Sequence, residues 1–326
     1  MSDERFFLTG ALGCIGAWVT RNLLRDGASV TIFDLGSNRS RLELLMEPEE
    51  VARIRFVQAD ITHTDGVRAA MAESGSTHII HLAALQVPFC RANPPLGAAV
   101  NVVGTVNVFE AAKQLGIRQV VYASSIAVYG YADEYAEDRV GNDAHLHPLN
   151  HYGVYKQANE GTARIYWQDD AIASIALRPY TIYGPARDQG MTSTPTKAML
   201  AAARGESYQI SFRGVNGFQY ADDVARTFIQ AARTPFQGAG VYNLAGSIVD
   251  MSEVVAAIEA AEPSAAGRIT TAEAVLPFPL GFDDSELRKI LGDIPFTPLE
   301  QGVADTISLF KAAIAAGKLP KETLSE

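Results

Sequence analysis

The sequence is poor in cysteine, with only Cys14 and Cys90 among its 326 residues. So few cysteines exclude the disulfide framework of a small secreted domain, and we expect a protein of the reducing cytoplasm. Cys14 stands inside a glycine-rich turn, and Cys90 follows a proline-containing loop. Both are expected to be small buried side chains rather than nucleophiles.

Positive charge is also scarce, since 27 lysines and arginines stand against 37 aspartates and glutamates, for a formal net charge of −10. An acidic protein gains nothing from counterion release on nucleic acid and is not attracted to anionic lipid surfaces. No apolar run is long enough to cross a bilayer, and the opening residues, Met1-Ser-Asp-Glu-Arg5, do not form a signal peptide. We therefore expect neither nucleic acid nor a membrane as a partner.

What the sequence does contain is 48% hydrophobic residues, in a pattern that alternates between short strands and longer helices. This alternation predicts an α/β fold, a Rossmann-type doubly wound parallel sheet covered by helices on both faces. A length of 326 residues suits such a domain with a smaller appended lobe. Strands are predicted at 5–8, 29–33, 54–58, 77–82, 119–124 and 173–178, and helices at 14–26, 65–74, 95–115 and 152–168.

A glycine-rich turn follows the first predicted strand and opens the first predicted helix. Its glycines are spaced three apart, at Gly10, Gly13 and Gly16. Glycine lets the backbone turn tightly and approach a pyrophosphate, whose charge is stabilised by the amides and dipole of the helix N-terminus. The next strand ends on Asp34, which can accept hydrogen bonds from ribose hydroxyls and would repel a 2′-phosphate. The turn thus favours NAD over NADP, although Arg39 and Arg41 offer positive charge that a 2′-phosphate could use.

A tyrosine and a lysine, Tyr152 and Lys156, lie four residues apart on a predicted helix, and Ser125 lies at the end of an earlier predicted strand. Residues at this spacing share one face of a helix. Because a nearby cation favours the phenolate, Lys156 is expected to lower the pKa of Tyr152 and make it a usable general base. Tyr152-x-x-x-Lys156 alone also occurs by chance, so its meaning depends on the glycine-rich turn.

Taken together, the motifs resemble those of the extended short-chain dehydrogenase/reductases, the group of NAD-dependent epimerases and dehydratases. The resemblance runs from about residue 5 to residue 245. The motifs that carry it are Gly10-x-x-Gly13-x-x-Gly16, Asp60-Ile61, His81-Leu-Ala-Ala84, Asn101-Val-Val-Gly-Thr105, Ser124-Ser-Ile-Ala-Val-Tyr-Gly130, Tyr152-x-x-x-Lys156 and Arg178-Pro-Tyr-Thr-Ile-Tyr-Gly-Pro185.

The resemblance implies a set of catalytic and cofactor-binding residues. The catalytic residues are Ser125, Tyr152 and Lys156. The residues implied to contact NAD are Gly10, Gly13, Cys14, Ile15, Gly16, Asp34, Asp60, Ile61, Leu82, Ala83, Ala84, Asn101, Ser124, Tyr152, Lys156 and Tyr180. Some have plainer alternatives, because Asp60 can cap the turn that follows it and Asn101 can be a buried packing residue.

The implied mechanism follows from these positions. Tyr152 takes the proton from a substrate hydroxyl while hydride leaves the same carbon for the nicotinamide. Ser125 holds the same oxygen by a hydrogen bond, and Lys156 binds the nicotinamide ribose. Ser124 lies near the cofactor, and Tyr155 is expected to be a packing residue.

The sequence also departs from the pattern of its implied relatives. Sugar dehydratases of the family carry Thr-Asp-Glu where this chain has Ser125-Ile-Ala127, so dehydration is not expected. Nucleotide-sugar epimerases carry Asn where this chain has Thr181, and Arg-Asp where it has Asn216-Gly217. A bidentate arginine on a diphosphate is not replaced by asparagine, although Arg187 and Arg213 could compensate.

The departures favour a substrate without a nucleotide. The predicted function is hydride transfer between NAD and a secondary alcohol or ketone of a small carbohydrate-like substrate, such as a sugar, aldonate or polyol. One alternative is an epimerase of a sugar or nucleotide sugar that retains its NAD. A second is an NAD-sensing protein without turnover, against which the complete set of Ser125, Tyr152 and Lys156 argues.

Domain organisation follows the change of pattern after about residue 180, where a polar loop precedes a predicted helix at 196–204 and a strand at 208–212. We expect an NAD-binding domain from residues 1–182 plus 218–246, and a discontinuous substrate lobe from 183–217 plus 247–326. Apolar surface on the helices at 95–115 and 152–168 exceeds what one core contact needs, and the resemblance implies a homodimer through them. His145 and His147 lack a convincing third ligand, so no metal site is expected.

Overall fold

The computed structural model describes residues 4–320, in which strands and helices alternate along most of the chain. The strands are β1 (Arg5–Thr9), β2 (Ser29–Asp34), β3 (Arg55–Gln58), β4 (His78–His81), β5 (Gln119–Ala123), β6 (Arg139–Val140), β7 (Ala173–Arg178), β8 (Thr181–Tyr183), β9 (Tyr208–Ile210), β10 (Val215–Tyr220), β11 (Ala239–Asn243), β12 (Ser247–Asp250), β13 (Ile269–Thr271) and β14 (Gly281–Phe282). The helices are α1 (Cys14–Arg25), α2 (Ser40–Leu45), α3 (Pro48–Val51), α4 (Thr64–Ser74), α5 (Val87–Ala92), α6 (Pro94–Ala98), α7 (Gly104–Leu115), α8 (His151–Asp170), α9 (Thr194–Arg204), α10 (Ala221–Arg233), α11 (Met251–Ala261), α12 (Ser285–Leu291) and α13 (Leu299–Ala315). A π-helix spans Ala99–Val103, and 3-10 helices span Ile126–Val128, Ala132–Glu134 and Pro263–Ala265.

The central sheet has seven strands in the order β11-β7-β5-β4-β1-β2-β3. Every neighbouring pair is parallel. The chain winds in one direction from β1 to β3 and in the other from β4 to β11, so the winding reverses between β1 and β4. In open sheets of this kind, ligands bind in the crevice at the carboxyl ends of the strands beside that reversal. The predicted α/β fold with a doubly wound parallel sheet is therefore confirmed.

The core follows from the alternation of side chains along the strands. Phe6 and Leu8 of β1 face the helices α1 and α10, whereas Phe7 faces α4 and α7. All six residues of β7 are buried, as expected for a strand covered on both faces. The sheet is thus the rigid frame on which the loops at its carboxyl edge are held.

The predicted helix at 95–115 is interrupted in the structure. It consists of α6, which begins at Pro94, then the π-helix Ala99–Val103, and then α7. Asn101 in the π-helix is fully buried, and its carbonyl oxygen accepts hydrogen bonds from the side chains of Asn159 and Thr105. Hydrophobic spacing does not reveal an extra residue in one helical turn, so the interruption was not predicted.

A second core lies beyond the central sheet, around the three-stranded sheet β12-β10-β8 and the helices α9, α11 and α13. Two further sheets pair distant parts of the chain, β13 with β9 and β14 with β6. The helix α12 packs its Leu287 and Leu291 into the core of the central sheet. The division into an NAD-binding domain and a discontinuous substrate lobe stays a prediction, and its residues 1–3 and 321–326 lie outside the described residues.

Candidate functional site

A cavity of about 720 Å³ lies at the carboxyl edge of the central sheet, in the part of the chain that the structure describes. Its floor comes from residues that directly follow β1, β4 and β5, among them Gly10, Leu82 and Ser124. Its far wall includes Thr192 and Phe278, which lie outside the central sheet. The cavity lies where the reversal of the sheet predicts a ligand site.

The glycine-rich turn forms one end of this cavity. Gly10 has a φ of +68°, and a Cβ there would lie 2.5 Å from the backbone nitrogen of Ala83. A Cβ on Gly16 would overlap the Cα of Ala11, where the helix packs on the turn. Gly13 caps α1 and has no side chain to bond the first amides of the helix, which lie beside the cavity. This cradle fits the pyrophosphate of a dinucleotide.

Asp34 and its neighbours line the cavity beside the glycine-rich turn. Its carboxylate accepts hydrogen bonds from the backbone nitrogens of Leu12 at 3.1 Å and Gly36 at 3.0 Å. These two amides hold the carboxylate beside the cavity, where ribose hydroxyls can donate to it. The two arginines that could have held a 2′-phosphate are engaged elsewhere, because Arg39 stacks on Phe56 and Arg41 pairs with Asp188.

Most of the other residues predicted to contact the cofactor also line the cavity. These are Gly13, Cys14, Ile15, Gly16, Asp60, Ile61, Leu82, Ala83, Ala84, Ser124, Tyr152, Lys156 and Tyr180. The carboxylate of Asp60 also accepts hydrogen bonds from the backbone and hydroxyl of Thr62, which lower its pKa. Asp60 therefore caps its own turn while it borders the cavity.

Asn101 is the exception, since it does not line the cavity. Its side chain accepts a hydrogen bond from the Leu85 backbone nitrogen at 2.7 Å and donates one to the Leu85 carbonyl oxygen at 2.9 Å. Asn101 therefore braces the loop that contains Leu85, which does line the cavity. A fully buried amide whose hydrogen bonds are satisfied in this way fixes the loop's position.

The structure brings Ser125 and Tyr152 together at the cavity wall. Ser125 ends the segment after β5 and caps the 3-10 helix Ile126–Val128, and Tyr152 lies in the first turn of α8. A Cβ on Gly153 would overlap the carbonyl oxygen of Ala127, so glycine permits α8 to begin directly against the Ser125 turn. Asn150 caps this helix by accepting a hydrogen bond from the Gly153 backbone nitrogen at 3.0 Å. Sequence reasoning missed both Asn150 and Gly153, although an Asn before a helix is an ordinary start signal.

The protonation of Tyr152 reflects competing effects. Burial raises the pKa of Tyr152, while a hydrogen bond with the Ser125 side chain and the positive charge of Arg187 lower it. Burial is the largest of these effects, so the pKa of Tyr152 lies above its usual value. The predicted lowering of this pKa by Lys156 is not found. The Lys156 ammonium lies 5.6 Å from the centre of the Tyr152 ring and donates a hydrogen bond to the Ala123 carbonyl oxygen at 2.6 Å.

Lys156 is itself a buried cation, with 3% of its surface exposed. Burial lowers its pKa from 10.5 to about 8, against the opposing effects of Cys90 and Glu160. A desolvated ammonium on the cavity wall is positioned to donate hydrogen bonds to ribose hydroxyls. Its contact with the nicotinamide ribose stays a prediction.

A buried ion pair that sequence reasoning missed supports the same wall. Arg178 forms a bidentate pair with Glu160, at 2.8 and 2.7 Å, and Glu160 accepts a hydrogen bond from the Ser124 hydroxyl at 2.5 Å. Arg178 also donates to the hydroxyl of Tyr129 at 2.6 Å. The pair connects α8 and β7 with the segment that contains Ser124. Its signal in the sequence is that Glu160 lies four residues after Lys156, on the same inward face of the helix.

The residues that departed from the expected pattern lie near the far wall. Thr181 and Asn216 are both 1% exposed, and Gly217 packs against the ring of Tyr180. Two arginines could compensate for the missing contacts to a diphosphate. Arg187 lines the cavity, whereas Arg213 pairs with Glu273 and does not line the cavity. Within residues 4–320, Arg187 is therefore the arginine that can face a substrate on this side.

Neither a metal site nor a membrane span emerges from the described residues. No group of three or more histidine, cysteine, aspartate or glutamate side chains is placed to hold a metal ion in residues 4–320. His147 instead pairs with Glu134 at 2.6 Å, and His145 lies 3.4 Å from the same oxygen. None of the helices between residues 4 and 320 is long and apolar enough to cross a membrane.

The sheet, the glycine cradle and the Ser125, Tyr152 and Lys156 cluster define a Rossmann-type enzyme that uses a nicotinamide dinucleotide. Comparison with known proteins extends this assignment. The sequence pattern of the "NAD dependent epimerase/dehydratase family" matches residues 6–245. The chain therefore belongs to this family, is an NAD-dependent enzyme of the extended short-chain dehydrogenase/reductase type, and its cofactor is NAD.

Individual relatives agree with the family. A UDP-glucose 4-epimerase of Mycolicibacterium smegmatis is 32% identical over 323 residues, which cover 94% of this chain and 98% of the relative. The structure of a UDP-N-acetylglucosamine 4-epimerase from Methanobrevibacter ruminantium M1 has a TM-score of 0.83 at 25% identity and covers 96% of this chain and 99% of its own. The structure of MoeE5 with UDP-glucose and NAD has a TM-score of 0.78 at 27% identity, with 95% and 99% covered. These relatives favour the epimerase alternative over the small-substrate dehydrogenase predicted from the sequence.

Proposed function

We propose that this protein is an epimerase that retains its NAD and inverts a hydroxyl-bearing carbon of a sugar, carried in the substrate as a nucleotide sugar. The observation that carries the proposal is that Ser125, Tyr152 and Lys156 lie together on the wall of a cavity that also contains the NAD cradle. Two hydroxyls beside a hydride acceptor suit oxidation and reduction at one carbon. Similarity to UDP-sugar 4-epimerases over nearly the whole chain supports inversion as the outcome.

In the proposed reaction, the residues of this chain handle the proton. In its phenolate form, Tyr152 accepts the proton of the substrate hydroxyl as that carbon is oxidised and returns it to the oxygen when the carbon is reduced on its opposite face. Ser125 donates a hydrogen bond to the same oxygen and stabilises the charge that develops on it. Lys156 donates to the nicotinamide ribose and keeps the cofactor aligned. When bound, NAD supplies the acceptor and then the donor of the hydride.

The nucleotide part of the proposed substrate rests on the relatives and on one side chain of this chain. Arg187 places a guanidinium in the cavity, and a guanidinium can bind a phosphate oxygen with two parallel hydrogen bonds. Asn216 and Gly217 provide no such charge. Arg187 is therefore proposed as the diphosphate ligand that replaces the missing arginine.

The remaining candidate is a dehydrogenase of a smaller carbohydrate, which Thr181 and Asn216 favour because they lack the usual contacts to a nucleotide diphosphate. A dehydrogenase consumes NAD in proportion to product and releases NADH. An epimerase regenerates NAD in each cycle. The two functions therefore differ in the net amount of NADH formed, which can be measured.

The test is to incubate the purified protein with nucleotide sugars, free sugars and sugar acids, and to follow product configuration by NMR together with the absorbance of NADH. We expect a nucleotide sugar to change configuration without net NADH. Tyr152→Phe is expected to lose about 10²- to 10⁴-fold in turnover, the usual contribution of a general base, while NAD binding is kept.

The matched control is Tyr155→Phe on the same helix, whose hydroxyl donates to the Pro94 carbonyl oxygen at 2.9 Å. This variant is expected to turn over normally. Stoichiometric NADH from a free sugar or a sugar acid would establish the dehydrogenase instead. Full activity of Tyr152→Phe would remove the proposed base.

A further inference from the structure

One segment, residues 184–188, lies against the glycine-rich turn and the helix α1 that begins in it, and we name it the crossing segment. The Trp18 indole donates a hydrogen bond to the Pro185 carbonyl oxygen at 2.9 Å, and Trp18 is 3% exposed. On the other side, Arg41 donates to Asp188 from Nε at 2.9 Å and from Nη2 at 2.7 Å. This crossing segment thus connects the substrate side of the cavity to the turn.

Arg41 is hydrogen-bonded to the crossing segment and to the glycine-rich turn at the same time. Its third hydrogen bond, from Nη1 at 2.9 Å, goes to the carbonyl oxygen of Leu12 inside the glycine-rich turn. One guanidinium therefore joins the turn to Asp188 of the crossing segment. Leu12, Gly13, Arg41 and Asp188 all line the same cavity.

The backbone of the crossing segment adopts an unfavourable conformation. Ala186 has a φ of +73°, a left-handed value that alanine rarely adopts, and it is 4% exposed. Such a conformation persists only where the surrounding contacts hold it. The contacts on either side of Ala186 are those of Pro185 with Trp18 and of Asp188 with Arg41.

We propose that the Arg41–Asp188 pair is a latch that closes the crossing segment over the glycine-rich turn and slows the release of bound NAD. Arg41 and Asp188 are positioning residues, because they act through the turn and the crossing segment. The proposal deepens the proposed epimerase, which needs to keep its cofactor between cycles, yet it concerns cofactor release alone. The competing possibility is that Arg41 binds the cofactor's phosphates directly and that Asp188 only neutralises it.

The experiment measures release of labelled NAD from the loaded, full-length protein during a chase with excess unlabelled NAD. Asp188 is exposed on 55% of its side chain, so Asp188→Ala is expected to fold. We expect release about 1.5- to fivefold faster in this variant, the range for one partly exposed ion pair. In an Arg41→Ala background, the further change Asp188→Ala should add nothing, because the pair is already broken.

The control is Glu73→Ala, which breaks the exposed Arg55–Glu73 pair at 2.8 Å, away from the cavity. Its release rate should equal that of the unmodified protein. Unchanged or slower release from Asp188→Ala would overturn the latch and assign Arg41 to the phosphates. Faster NAD release from Asp188→Ala, without epimerisation of any sugar by the unmodified protein, would support the latch and reject the proposed function. Epimerisation with unchanged NAD release from Asp188→Ala would support the proposed function and reject the latch.

Discussion

A charged side chain kept out of water is the unusual residue of this site. Lys156 is almost fully buried, and no carboxylate forms an ion pair with it among the contacts of the described residues. Its pKa of about 8 means that folding weakens the ammonium form, which is nonetheless the form present at neutral pH. The position is therefore maintained at a cost in stability.

Replacing this charge should stabilise the cofactor-free protein. The fall in pKa from 10.5 to about 8 corresponds to about 3 kcal/mol, from which about 1 kcal/mol is lost with the hydrogen bond to Ala123. We expect Lys156→Met to raise the free energy of unfolding by about 2 kcal/mol at pH 7. The buried ammonium lowers the free energy of unfolding by its full amount below pH 8. This loss disappears as the pH rises to 10.5, because the ammonium is then lost in both the folded and the unfolded states.

Denaturant unfolding of both proteins at pH 7 and at pH 10.5 measures this difference. A gain that persists unchanged at pH 10.5 would mean that the methionine packs better, and that the charge is not responsible. Equal stability at pH 7 would show that the ammonium is solvated in the native protein.

Several residue roles followed from the sequence, and the reasons are physical. Gly10, Gly16 and Asp34 occupy positions where a turn of fixed geometry leaves little choice of residue type. Ser125 and Tyr152 were grouped from motif spacing, and the structure places both on the wall of one cavity. The sequence did not reveal the Arg41–Asp188 pair, because 147 residues separate its members and no local pattern connects them.

At the scale of elements, the site depends on how closely α8 approaches the turn after β5. Gly153 permits this approach, because any Cβ there would overlap the Ala127 carbonyl oxygen. The helix beyond it carries a second glycine, Gly161, whose Cβ would meet no atom within 4 Å. The two glycines in one helix therefore have opposite structural meanings.

This contrast makes a matched pair of variants. Gly153→Ala is expected to push α8 away from Ser125, to cost about 1–3 kcal/mol of stability and to lower turnover more than NAD affinity. Gly161→Ala should instead stabilise the isolated subunit by up to about 1 kcal/mol with normal turnover, because alanine favours the helix and the added methyl lies on the outer face that Gly161 shares with Val154 and Ile165. Thermal unfolding, turnover and NAD titration of both variants make the comparison, and equal behaviour of the two would refute the role of Gly153.

Element boundaries were predictable where one strong pattern governs them. Buried strands such as β7 and helices such as α1 lie within one residue of their predicted ends. The short strands β6 and β14, of two residues each, were not predicted, since two residues are too few to show alternation. The π-helix was missed because its cause is tertiary, a buried Asn101 that bonds to other segments.

At the scale of the whole molecule, apolar surface remains uncovered on the helices where the resemblance implied a homodimer. The structure buries Val108 and Phe109 in the core, but it leaves Val103, Val154 and Ile165 exposed at 47%, 46% and 47%. Val154 and Ile165 are eleven residues apart, three turns of α8, and therefore lie on one face. A second copy of the chain would cover this face.

We therefore predict a dimer that a single charge on this face disrupts. Ile165→Asp should halve the mass measured by light scattering, because an aspartate buried in an apolar interface has no partner. Val275→Asp is the control, since Val275 is 62% exposed elsewhere on the molecule, and its mass should not change. A monomeric mass for the unmodified protein would reject the prediction.

The segment from Phe278 to Leu287 contributes to the cavity, to a small sheet and to the central core together. Phe278 forms part of the cavity wall, Gly281–Phe282 pairs with Arg139–Val140 in a two-stranded sheet, and Leu287 packs in the core of the central sheet. Exchange of this segment between homologues would therefore replace core residues together with residues of the cavity wall. New specificities in such proteins should arise more readily by point changes near Phe278 than by recombination of lobes.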